Sequence, residues 1–235
     1  MTAAAESLNL EPVQALTVWR KSTPASTSFE NRYTPTGRIQ SLRSRAGDLK
    51  LADVPRSWRG AEIVHLAPIA CEIPSDLARA FSDSFVGVTP QGSMRIWDSA
   101  GRVTLQSWEA VHDLLHVAAA VVLSIEDLGM DRRAAEAMAG HCKTLVVTEG
   151  PLGATVHHSG RAELVPATPV REVDPTGAGD IFAAVFFIRF HETGDPWASA
   201  RMANQIAGRS VSKPGLTGAP TPAEARAALQ AIGKR

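Results

Sequence analysis

The sequence predicts an α/β protein in which parallel strands form a central sheet with helices over both faces. Three observations carry that expectation. Short apolar runs of strand length recur from residue 61 onward, segments of helix length separate several of them, and a glycine-rich turn feeds a long apolar helix near residue 178. Alternation of strand and helix implies βαβ units, and strands without polar alternation are those buried on both faces.

Residues 1–15 are weakly patterned and are expected to form a loose tail. Residues 16–43 read as extended structure: Thr17 to Trp19, Ser26 to Tyr33 and Arg38 to Leu42, with Thr34-Pro35-Thr36-Gly37 as a hairpin turn. These strands mix Arg, Asn, Ser and Thr with Phe29, Tyr33 and Ile39, so one face stays polar. The buried strands are expected at Glu62 to Leu66, Phe85 to Val88, Ala119 to Leu123 and Thr144 to Thr148. Helices are expected at Ser75 to Phe81, Ser107 to Val117 and Asp131 to His141, the second with Trp108, Val111, Leu114 and Leu115 at helical spacing. Residues 90–106 break into a loop with a short strand, Met94 to Trp97, and Ala154 to His158 with Arg161 to Val165 suggest an antiparallel hairpin. A helix opens at Gly177-Ala178-Gly179-Asp180 and runs to about His191, and another runs from Asp195-Pro196 to about Ser210. Thr221-Pro222-Ala223-Glu224 announces a last one, with Thr as cap, Pro in the first turn and Glu closing a capping box. Without repeat, low-complexity stretch or linker, 1–235 reads as a single domain with a hairpin at about 16–43 and an α/β core at 61–235.

The 235 residues include 44% hydrophobic and 20% charged, which suits a chain able to bury a real core. Lys+Arg and Asp+Glu balance at 24 each, which argues against nucleic-acid binding through bulk charge. Cys71 and Cys142 form no C-x-x-C pair, and the first residues have neither a basic nor an apolar signal segment. The longest fully apolar run, Ile181 to Ile188, is far short of the ~20 residues that span a bilayer. A cytoplasmic protein, with no membrane and no nucleic-acid partner, is expected.

The chemistry concentrates in Asp174-Pro175-Thr176-Gly177-Ala178-Gly179-Asp180 and the apolar helix behind it. A small-residue turn at a helix start leaves backbone N–H groups unpaired at the positive end of the helix dipole, which binds anions and phosphate above all. A carboxylate in the first turn sits where it could take the proton of an attacking hydroxyl. Gly-rich turns also open many helices that bind nothing, and no G-K-[S/T] follows, so a P-loop is disfavoured. A second segment, Thr148-Glu149-Gly150-Pro151-Leu152-Gly153, follows the apolar Leu145-Val146-Val147 and places T-x-G-x-x-G where ligands of open α/β sheets collect. Alone it is a weak signal that reads sooner as a tight turn into the next strand.

Together, D-P-T-G-A-G-D and the upstream T-x-G-x-x-G resemble the PfkB, or ribokinase-like, carbohydrate kinases. The resemblance continues through Asp195-Pro196-Trp197, Ala203-Asn204 and Pro214-Gly215, covering about residues 16–225. It implies a three-layer α/β/α sandwich with a parallel central sheet and a small β lid, the hairpin at 16–43, which often forms the dimer contact. It implies ATP and Mg²⁺ as cofactors and a sugar, polyol, inositol or nucleoside as phosphate acceptor. By the resemblance Asp180 is the catalytic base and Gly177, Ala178 and Gly179 the anion hole. Thr148, Gly150 and Gly153 fall on the nucleotide-phosphate turn, and Asn204 beside the adenine. Asp174 and Thr176 fall where some members hold a monovalent cation.

Two departures stand out. The family's N-x-x-E, which supports Mg²⁺ through water, is Ser124-Ile125-Glu126-Asp127 here, so Asp127 takes that role with a shorter reach. The Asp and the Gly-Gly-x-x-x-N segment that line the sugar site are not found before Thr17, so the usual amino-terminal substrate segment is expected to be lacking. The expected activity is ATP-dependent phosphoryl transfer to a hydroxyl; the rival is a non-catalytic nucleotide-binding or scaffold protein on a truncated form of the fold.

Other candidates are weaker. His112-Asp113-Leu114-Leu115-His116 imitates H-E-x-x-H, but zinc hydrolysis needs a third ligand and usually a Glu, so a helix surface is the expected reading. His157 and His158 are neighbours in a hairpin and should face opposite ways. Five scattered tryptophans suit packing rather than a stacking platform, and Glu163 and Glu172 read as solvated charges.

Overall fold

The computed structural model describes residues 1–34, 37–221, 223 and 224. It divides into two compact units, one of residues 1–86 with 90–117 and one of 87–89 with 118–235.

In the first unit, β1 (Thr2–Ala4) pairs in parallel with β2 (Arg20–Ser22), and Ala4 is buried. The expected loose tail therefore begins as a strand. The expected hairpin is present as β3 (Ser28–Thr34) and β4 (Gly37–Ser44), with Phe29 opposite Leu42 and Thr34 opposite Gly37. Its turn residues Pro35 and Thr36 lie outside the described residues. The Arg95 guanidinium stands 5.0 Å from the centroid of the half-buried Phe29 ring, a cation–π contact on one face of the hairpin. Next come β5 (Ile63–Leu66), the short helix α1 (Ser75–Arg79) and β6 (Phe85–Val88), whose first two residues belong to this unit. β7 (Arg95–Trp97) was expected; its antiparallel partner β8 (Val103–Leu105) was not, and a bridge from Ser41 to Arg102 joins that loop to β4. The expected helix at 107–117 is a 3-10 turn over Trp108–Val111 followed by α2 (His112–Val117). Trp108, Val111, Leu114 and Leu115 are all buried, as their spacing requires.

The second unit is built on β9 (Ala120–Ser124), β10 (Thr144–Thr148), β11 (Gly153–His158) and β12 (Arg161–Pro166). β9 and β10 run parallel, and the end of β6 pairs in parallel with β9 through Gly87–Ala120 and Val88–Val121. Between β9 and β10 lies α3 (Arg132–Ala139), capped by the Asp131 carboxylate, which accepts from the Arg133 N–H. β11 and β12 are antiparallel neighbours, so the sheet is mixed at that side. The registers Ser124–Thr148, Thr148–Ala154 and Ala154–Val165 form one row. Because β11 runs backwards, the carboxyl ends of β9, β10 and β12 share that edge, and the loops after all three leave from it.

Helix α4 (Ala178–Thr193) is apolar on nearly every side because it is covered twice. Phe182, Ala183, Phe186 and Phe187 form a buried stripe, and Ile181 and Val185 pack against Met202 and Ile206 of α5 (Pro196–Ser210). A Cβ on Gly87 would lie 2.5 Å from the Phe187 ring, so this ring rests directly on the β6 backbone. The Asp195 carboxylate caps α5, accepting from the N–H groups of Trp197 and Ala198. At 221–224 the capping box forms reciprocally: Thr221 N–H donates to the Glu224 carboxylate and Glu224 N–H to the Thr221 hydroxyl. Pro222, and any helix continuing after residue 224, fall outside the described residues. Among the described residues no helix is long and apolar enough to cross a membrane.

Candidate functional site

Every residue singled out for phosphate chemistry lies in the second unit. Gly177 is the N-cap of α4 with φ of 81°, a left-handed conformation that glycine adopts without a Cβ penalty. The first turn is tied by Ala178 N–H donating to the Pro175 carbonyl (3.1 Å) and Ile181 N–H to that of Gly177 (3.0 Å). Among the described residues no backbone bond outside the helix ladder engages the Gly179 and Asp180 amides, which are among the orphan donors of a helix start. Nothing lies within 4 Å of where a Cβ on Gly177 or Gly179 would stand, and Gly179 and Asp180 are exposed. The turn that carries these amides is exposed at Gly179 and Asp180, and the Asp180 carboxylate belongs to the same turn. That arrangement can receive an anion and can present a base to it.

The loop before the helix is held by Asp174. Its Oδ1 accepts from the Thr176 N–H (2.9 Å) and its Oδ2 from the Gly215 N–H (2.8 Å), while the Val211 carbonyl accepts from the N–H groups of Val173 (2.8 Å) and Asp174 (3.0 Å). The Thr176 backbone first, then the Thr176 hydroxyl and the Gly215 amide, hold the Asp174 carboxyl below its ordinary range. Both carboxylate oxygens are thus used to fasten the loop to the chain after α5. The sequence suggested a cation ligand here; the bonds present make Asp174 a clamp, with the exposed Thr176 inside it.

The T-x-G-x-x-G turn leaves the end of β10. The half-buried Thr148 donates its hydroxyl to the Leu123 carbonyl (3.3 Å), and Gly150 stands in open space. Gly153 has a different reason to be glycine. Its φ is 110° and a Cβ there would fall 2.2 Å from the Val165 carbonyl oxygen, so the β11–β12 crossing demands it. Glu149, between Thr148 and Gly150, was passed over in the sequence. Its side chain is only 4% exposed, is paired with Arg132 at the start of α3, and accepts the Thr155 hydroxyl. A buried carboxylate needs such partners, and the signal missed was an acidic residue in an otherwise apolar strand end.

Asp127 and Asn204 serve the fold first. Asp127 is 7% exposed and its Oδ2 accepts from the Ser124 N–H (3.0 Å), closing a capping box on the 3-10 turn Ile125–Leu128. Its neighbour Glu126, at the same carboxyl edge, is exposed. Asn204 is 8% exposed and its side-chain amide donates to the Val165 carbonyl (2.8 Å), locking α5 onto β12 rather than opening outward. Elsewhere in this unit His157 and His158 take alternate sides of β11; burial lowers the His157 pKa, and the His158 Nδ1 bonds the Thr144 hydroxyl. Glu163 and Glu172 are exposed, as expected.

Residues 114–224 match the model of the pfkB family of carbohydrate kinases. The pfkB-like stretch thus contains every element of the anion turn, the T-x-G-x-x-G turn and α5. Ribokinase from Bacillus subtilis is 40% identical over 83 residues, which are 35% of this chain and 28% of that protein. The bifunctional protein HldE of Rhodopseudomonas palustris is 39% identical over 105 residues, 44% of this chain and 21% of HldE. The matched stretches are therefore less than a third of either relative. Among solved structures, a sulfate complex of a pyrophosphate-dependent kinase in the ribokinase family superposes with a TM-score of 0.74 at 21% identity, covering 89% of this chain and 76% of that one. The ATP-bound fructokinase of Xylella fastidiosa gives a TM-score of 0.70 at 18% identity, covering 92% and 76%. The fold is ribokinase-like, as the sequence resemblance implied.

Proposed function

We propose that this protein transfers a phosphoryl group from ATP to a hydroxyl of a small sugar, inositol or nucleoside. The observation that carries the reading is the start of α4: unengaged amides and an exposed carboxylate share one turn that opens on free space. In this reading Asp180 accepts the proton of the attacking hydroxyl. Gly177 and Ala178 shape the turn, the Gly179 and Asp180 amides offer N–H donors to the charge that develops on the phosphoryl oxygens, and the helix dipole adds to them. Thr148 and Gly150 border the space for the donor's remaining phosphates, and the Asp174 clamp keeps the turn in shape. Magnesium bound with the donor would withdraw charge from the phosphate oxygens. Carboxylates at the same strand edge suit such a hard cation, with Glu126 directly accessible and Asp127 acting through water. A monovalent cation near Thr176 and a homodimer through the β3–β4 hairpin belong to the same proposal, as does a cytoplasmic setting, which the free thiols of Cys71 and Cys142 suit.

The experiment is a phosphotransfer assay of the purified chain with ATP against a panel of sugars, inositols and nucleosides, repeated with pyrophosphate as donor. A phosphorylated product with ATP supports the reading, and product with pyrophosphate alone would overturn its donor. The second reading, a non-catalytic nucleotide binder, is favoured by Asp127 and Asn204, both buried in structural bonds. Saturable ATP binding with no product from any acceptor would select it.

A further inference from the structure

The H-D-L-L-H segment of the first unit has no part in phosphoryl transfer as proposed, yet the structure brings its two imidazoles together. His112 and His116 lie one turn apart on α2, with Nε2 atoms 3.0 Å from each other and rings edge to face at 4.3 Å between centroids. Leu114, on the opposite side of the same helix, and Leu115 on its flank are buried, so the backbone carrying the two rings is anchored by core packing. His112 is half-buried and His116 exposed, which leaves the pair accessible. Two ring nitrogens so close need something electropositive between them, a proton on one or a cation on both. Two imidazoles on one zinc, each at ~2.0–2.1 Å, lie about 2.9–3.4 Å apart for ordinary bond angles. The observed separation is within that range without any side-chain movement.

We infer that His112 and His116 chelate a borderline divalent transition-metal ion, zinc foremost. Neutral imidazole favours zinc, copper or nickel, whereas magnesium takes oxygen ligands, so the site discriminates against the cation of phosphoryl transfer. The site is a chelate and not a hydrolytic centre. Asp113, in the place of a glutamate base, is bonded instead to the Arg79 guanidinium (3.0 Å).

The test is equilibrium dialysis of the full chain, free of any histidine tag, against zinc chloride in excess magnesium, with the thermal midpoint followed in parallel. One zinc per chain is expected, together with a midpoint that rises with zinc concentration. His112→Gln and His116→Gln should each weaken zinc binding at least about tenfold and remove the zinc-dependent rise, with the circular dichroism of the zinc-free protein unchanged. Absence of saturable zinc binding to the wild type, or equal affinity in both variants, would overturn the inference. Neither outcome bears on the phosphotransfer assay, which uses other residues.

Discussion

Gly179→Ala separates the fold from the chemistry at the one turn where both meet. Gly179 is the second residue of α4, its φ is not in the left-handed region, and a Cβ placed on it touches nothing within 4 Å. The methyl group is therefore free of steric cost against the protein, and alanine is the better helix former by up to about 0.5–1 kcal/mol. For a chain of this length that is a rise of roughly 1–4 °C in thermal midpoint. The same methyl would stand in the space proposed for the phosphoryl group, beside the amides that stabilise it. Displacing a reacting group by about 1 Å costs on the order of 10²-fold in rate, so kcat should fall by about that factor. A melting curve and steady-state turnover with the accepted substrate read the two effects on one preparation. A variant that is more stable and fully active would refute the idea that phosphate approaches this backbone. A less stable variant would refute the geometry of the turn.

Two further substitutions probe the scaffold and the loop. Gly87→Ala would push a methyl to within 2.5 Å of the Phe187 ring and should destabilise the second unit by about 1–3 kcal/mol, seen as a lower urea midpoint; an unchanged midpoint would mean that the ring does not rest on β6. Asp174→Asn should lower the thermal midpoint at neutral pH. The wild-type carboxyl is depressed in the folded state by the Thr176 and Gly215 donors, so its contribution is present above the unfolded value of about 3.9 and fades as pH falls through the lower folded one. The gap between wild type and variant should close in that acid range, and a gap independent of pH would contradict the clamp.

Much of the second unit was legible because its signals are local. Leu145-Val146-Val147 is a short apolar run that suits a doubly buried strand, and the small residues before Ile181 suit a turn into a helix. The open space at Gly150 and Gly179 agrees with that reading. The strand Thr2–Ala4 was not legible, since three residues paired in parallel with a segment starting at Arg20 leave no periodic trace. Val103–Leu105 escaped for the same reason of length. Asp127 and Asn204 were read by position in a motif, which names a residue without saying where its side chain turns. Ser124 and Val165 offered them bonds inside the fold, and burial decided the outcome. Glu149 was hidden differently: its partners Arg132 and Thr155 lie 17 and 6 residues away, and only the fold unites them.

The most direct test is Asp180→Asn, measured as kcat with the accepted substrate and as donor affinity by direct binding. Loss of a general base predicts a fall of about 10²–10⁴-fold in turnover with donor affinity and melting temperature near wild type. Turnover at the wild-type rate would contradict the assignment of the exposed carboxylate in the first turn of α4 as the proton acceptor.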